Sequence, residues 1–190
     1  METSPTDPRH FLKSAASISE ASCSGRYMRV SIEKVLINVP ITGDTGNGTK
    51  DRTFTLVRVL YSNLWDHPID TSLRRPKLID SEGIQHTTDN DHWIFTQDAS
   101  VRLSKNRSVS YSFESLDDTI EGRAKTRGWL FFPPLPPGIY PHRLVFQFLT
   151  FEPGFTSGRV QDHDTLEVVF TFQFRKLLPE ARGFVTLDIE

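Results

Sequence analysis

Cysteine is nearly absent: Cys23 is the single one in 190 residues, so no intramolecular disulfide can brace the fold and a packed core must supply its stability. No apolar run approaches the roughly 20 residues that cross a bilayer as a helix. An excess of either charge is lacking too. A net charge of -2 gives no global field for gathering nucleic acid or anionic membranes, so a nucleic-acid partner is not expected. Between Met1 and Ser24 there is neither a basic start nor a continuous apolar stretch, which makes the expectation a soluble, unexported chain without a signal peptide. Glu20-Ala21-Ser22-Cys23 has the outline of a lipoprotein cleavage site, but Glu20 stands where Leu is required and the residues before it are polar. No Gly-x-Ser-x-Gly elbow marks a nucleophile.

Phenylalanine is abundant, at 14 against 2 Met, which suits a pleated sheet core better than a helical bundle. Leu166, Val168, Phe170, Phe172 and Phe174 alternate with polar or small neighbours, the period-two pattern of a half-buried strand. Met28, Val30 and Ile32 alternate in one phase and Val35, Ile37 and Val39 in the other, so a bulge or a change of sheet is expected near Glu33-Lys34. Thr53 to Tyr61 is almost continuously apolar, which predicts a central strand covered on both faces. Further alternating runs precede turn residues, and Pro133-Pro134-Leu135-Pro136-Pro137-Gly138 must end the strand before it because proline donates no N–H to a ladder. These runs predict an all-β, two-sheet antiparallel sandwich of immunoglobulin-like design over residues 26–176. Residues 1–25 read as a flexible or weakly helical tail, with a short helix after Pro8. Residues 177–190 read as an extension whose Val185, Leu187 and Ile189 form an edge strand or pair with another copy of the chain.

Three segments carry a resemblance. Phe54-Thr55-Leu56-Val57-Arg58-Val59-Leu60-Tyr61-Ser62-Asn63 is a strand ending in Asn, Leu78-Ile79-Asp80-Ser81-Glu82-Gly83 is a Leu-x-Asp-x-x-Gly segment, and Gly128-Trp129-Leu130-Phe131-Phe132 is a Gly-Trp-Leu-x-Phe strand. In this order they resemble the telokin-like, immunoglobulin-type sandwich domains of uncharacterised function in bacterial and archaeal envelope proteins. The likeness spans roughly Arg26 to Phe174, and it implies the fold and an extracytoplasmic setting but no reaction. The missing signal segment, a longer loop from Leu116 to Arg127 and the Pro-rich turn depart from that pattern.

The chemistry-bearing residues are weighed against ordinary structure. His86, Asp89, Asp91 and His92 offer imidazole and carboxylate groups that suit zinc, manganese or calcium, but their spacing fits no established metal loop and a solvated turn is the expected reading. Asp44-Thr45-Gly46 matches the aspartic protease triplet, without a second copy and inside a glycine-rich turn. Basic groups fall at Arg74, Arg75 and Lys77, at Arg102, Lys105 and Arg107, and at Arg123, Lys125 and Arg127, where loops of a sandwich could meet phosphates. Trp65 becomes a contact residue if it proves exposed beside Pro68. No cofactor is expected. The leading expectation is a non-catalytic protein-interaction or structural module with a protein partner. A metal-dependent hydrolase or ligand-binding domain stands second and a DNA-binding sandwich third.

Overall fold

The computed structural model describes residues 22–44, 48–71, 75–89, 99–104, 107–151, 160–169, 172–173, 185–186 and 188–189. Among them every regular element is a strand, all paired antiparallel. In chain order they are β1 (Ser22–Ser24), β2 (Met28–Asp44), β3 (Thr49–Asn63), β4 (Ile69–Asp70), β5 (Lys77–Asp80), β6 (Gln85–Thr87), β7 (Ala99–Ser104) and β8 (Arg107–Tyr111). There follow β9 (Thr119–Ile120), β10 (Lys125–Phe132), β11 (Pro141–Phe151), β12 (Val160–Val169), β13 (Phe172–Gln173), β14 (Val185–Thr186) and β15 (Asp188–Ile189). No helix among the described residues is long and apolar enough to cross a membrane.

One sheet runs β10-β3-β2-β7-β8, with β1 and β14 also paired to β2. A second runs β6-β5-β11-β4-β9, with β12 on β11. Their buried residues form one cluster: Val57, Val59 and Tyr61 of β3 and Leu130 and Phe132 of β10 lie in it with Leu78, Leu144, Phe146, Phe148, Leu166 and Val168 of the second sheet. Alternate residues of the same strands point the other way. There Phe54 meets Phe131 edge to face at 5.3 Å, and Phe113 meets Phe131 at 5.4 Å and Trp129 at 5.6 Å. Strand β3 is therefore buried on both faces, as its nearly continuous apolar run demands, and each such side chain is worth about 1.5 to 3 kcal/mol.

The phase change in β2 is a bulge between Ile32 and Lys34, and a second irregularity follows between Leu36 and Val39. The second contains Asn38 at φ 55, a left-handed conformation that asparagine tolerates better than most residues. Of the alternation from Leu166 to Phe174, Leu166 and Val168 are buried in β12, Phe172 lies in β13, which pairs with β15 in a two-stranded sheet, and Phe170 and Phe174 lie outside the described residues.

At the ends, Ser22–Ser24 lie inside the stretch expected as tail but pair with Arg29–Ser31 of β2. In that strand Cys23 packs on the core cluster, and burial pushes its thiol up to about 11. Residues 1–21, including the helix expected after Pro8, lie outside the described residues. Val185 and Thr186 pair with Ile37 and Leu36 of the same molecule.

Candidate functional site

The motif residues act as clamps on the connections at the strand ends. Asn63 closes β3 and is only 3% exposed. Its Nδ2 donates to the carbonyls of His67 at 2.8 Å, Ile120 at 3.0 Å and Glu121 at 3.1 Å, and its Oδ1 accepts the Trp65 N–H at 2.8 Å. One amide thus ties the turn 64–68 to the turn 120–124. The two turns approach so closely that a Cβ on Gly122 would stand 2.1 Å from the Asp66 carbonyl oxygen. Asp80, 1% exposed, does the same for the turn between β5 and β6. Its Oδ1 accepts the N–H groups of Glu82 and Ile84, both at 2.9 Å, and its Oδ2 lies 2.8 Å from His86 Nε2. Desolvation opposes the charge on Asp80, but the His86 bond and the two backbone donors outweigh it and hold the carboxyl below its usual value. Gly83, at φ +84, supplies the backbone conformation that this turn requires.

Asn38 is the third clamp. It donates to the Leu135 carbonyl at 2.8 Å and accepts the Leu135 N–H at 2.8 Å, so its side chain pairs with Leu135 as a strand backbone would. Leu135 is buried in the core cluster, which draws the Pro-rich connection inward.

The described candidates make contacts of the same structural kind. His86 bonds to Asp80, and the two terminal guanidinium nitrogens of Arg52 donate to the two carboxylate oxygens of Asp89. Asp91, His92 and Thr45-Gly46 of the protease-like triplet lie outside the described residues. Among the described residues no three His, Cys, Asp or Glu side chains gather as a metal site would require. The third basic group disperses: Arg123, at φ 63, pairs with Asp66 at 2.7 Å, and Arg127 pairs with Glu33 at 2.8 Å. Lys125 is exposed on β10 opposite Ser62 of β3. Arg74 and Lys105 lie outside the described residues, as do the side chains of Arg102 and Arg107. Trp65 does not meet the condition for a contact residue. Its ring is half-buried on the core, 5.3 Å from Tyr27 and 4.7 Å edge-on from His67.

A cleft of about 240 Å³ opens along the outer edge of β10. Two segments flank that edge: Glu114 O accepts the Trp129 N–H at 3.0 Å, and Asp89 N donates to Phe131 O at 2.8 Å. Between them the cleft is lined by Tyr61, Trp129 and Leu130 within and by Thr71, Arg75, Asp117 and Asp118 among its other residues. Sequence reading missed this cleft and missed Asn38. A polar residue breaking the apolar phase of β2 is the signal that marks Asn38. The cleft carries no such mark, because its walls come from five separated stretches of chain.

No family model and no curated protein matches the chain. Among solved structures, a candidate lipoprotein, ycdA, from Bacillus subtilis is similar at 15% identity and a TM-score of 0.39, over 80% of this chain and 39% of that one. This chain spans well under half of that protein's length, and a likeness at that TM-score carries no argument about role.

Proposed function

We propose that the chain is an immunoglobulin-like, telokin-like sandwich that serves as a non-catalytic interaction or structural module and presents rigid turns to a protein partner. The observation that carries this reading is the turn 81–84. Ile84 at its tip is 53% exposed and is the exposed large apolar residue among the described side chains. Beneath it the turn is fixed by three backbone hydrogen bonds, Asp80 N to Ile84 O at 3.0 Å, Gly83 N to Asp80 O at 3.0 Å and Ser81 N to Tyr140 O at 2.9 Å, besides the Asp80 carboxylate. An apolar side chain held on a rigid support loses little conformational entropy on binding, which is what makes a useful anchor.

The test is native co-purification of the tagged chain and of its Ile84→Asp variant, each checked by circular dichroism. A partner retained by the parent and lost by an equally folded variant supports the reading. Identical proteins captured by both remove the turn as the contact, and turnover of a small molecule by the purified chain removes the non-catalytic role.

A further inference from the structure

Among the described residues Lys34 is a largely buried cation without an acceptor. It follows the bulge in β2, stands opposite Arg58 of β3 in the ladder and is 7% exposed. Its amine makes neither a hydrogen bond nor an ion pair with them, yet the nitrogen is not sealed from solvent.

The ion pairs around Arg58 are already formed. Glu33 lies 3.6 Å from Arg58 Nε and 2.8 Å from Arg127 Nη2, and Glu114 takes Arg58 Nη2 at 2.6 Å. The Arg58 guanidinium is further placed over the Trp129 ring, 5.9 Å from its centroid. Two carboxylates thus serve three cations, and Lys34 is the one left over.

Burial, with the Arg58 charge second, lowers the amine to about 8. About a fifth of it is then unprotonated near pH 7.4, against about a thousandth for an ordinary lysine. An unprotonated amine is a nucleophile, and space and charge limit what it can take. Only a small electrophile fits beside a side chain so little exposed. A protonated imine would keep a cation against Arg58, and an acyl group would only cancel the charge. Carbon dioxide turns the cation into an anion, and the repulsion with Arg58 into attraction.

We propose that Lys34 reversibly binds carbon dioxide as a carbamate whose carboxylate pairs with Arg58. The unprotonated Nζ forms a bond to the carbon of CO2, one C–O π pair passes to oxygen, and Nζ gives a proton to water. Nothing is oxidised or reduced. The site uses no residue of the turn 81–84, so it is independent of the interaction reading.

The test is carbon-13 NMR of the whole chain in labelled bicarbonate at pH 8, followed by trapping of the carbamate with an alkyl oxonium reagent and peptide mapping. Mapping of the parent chain should find the trapped group on Lys34 at higher occupancy than on the exposed Lys125. Lys34→Arg, which keeps the charge but forms no carbamate, should lose the NMR signal. Arg58→Gln should lower the occupancy about three- to fivefold, the effect of one partly exposed ion pair. Circular dichroism checks that both variants fold. The proposal is overturned if mapping finds no carbamate on Lys34, if Lys34 and Lys125 are modified alike, or if folded Arg58→Gln keeps the occupancy of the parent.

Discussion

Replacing Asn63 with alanine should unfasten two turns at once. The side-chain amide has two N–H groups shared among three carbonyls, and its oxygen holds the Trp65 N–H. Because two of those three donor contacts share a hydrogen, the set counts as about three net hydrogen bonds, each worth about 1 kcal/mol. The variant also leaves the part-buried Trp65 N–H and the buried Ile120 carbonyl without that partner. The expected loss is about 3 to 4 kcal/mol, which lowers the thermal midpoint of a chain this size by roughly 10 °C. Asn63→Asp is the sharper probe. It preserves shape and one acceptor but sets a carboxylate against three carbonyl oxygens, so its folded-state pKa must rise above the unfolded value. It should be less stable than Asn63→Ala near neutral pH and recover as the solution is acidified through that raised pKa. Urea denaturation followed by circular dichroism at several pH values reads both effects. A loss below about 1 kcal/mol for Asn63→Ala, or an Asn63→Asp stability that ignores pH, would refute the clamp.

Gly122→Ala should cost at least about 2 kcal/mol in the same assay, because its Cβ would meet Asp66 backbone atoms at 2.1 and 2.5 Å. Gly138→Ala, at φ +81 with open space around it, should cost only about 1 kcal/mol, and the reverse order would show that close approach is not what Gly122 provides. Asp80 has its folded pKa held below 3.8, so it stabilises the fold above that value and the benefit is lost as pH falls through the folded pKa. The midpoint gap between the parent and Asp80→Asn should therefore be constant near neutrality and close below pH 3.8; a gap unchanged at low pH contradicts the assignment. Desolvation, with Arg58 adding repulsion, lowers the buried Lys34 amine from 10.5 to about 8. Lys34→Met should stabilise the chain most below pH 8, with the gain shrinking between pH 8 and 10.5 as the unfolded-state amine also loses its proton; a pH-independent gain would point to packing alone.

Asn63, Asp80 and Gly128 stand in recognisable segments, yet nothing local reveals what they do. The partners of Asn63 lie up to 58 residues away at Glu121, and a Cβ on Gly128 would press on the backbone of Leu116 at 2.7 Å. Asp80 is the exception, since an aspartate three residues before a turn glycine is a local signal for a carboxylate that caps the turn. The partner of His86 was hidden for a related reason: the ring bonds to Asp80 at 2.8 Å, a pairing made by the hairpin that sets β6 beside β5.

By itself the amino-acid order determined the all-β character, the double burial of β3, the bulge after Ile32 and the end of β10 at Pro133. Each depends on period, proline or apolar phase within a few neighbouring residues, where side-chain direction follows from backbone geometry alone. Only the tertiary structure decided that Arg52 neutralises Asp89, that Asn38 holds Leu135 across 97 positions, and that Tyr61 and Trp129 wall one cleft with Arg75 and Asp118. Those pairings depend on which strands become neighbours, and adjacency in a sheet is set by the burial of the whole apolar set rather than by any local pattern.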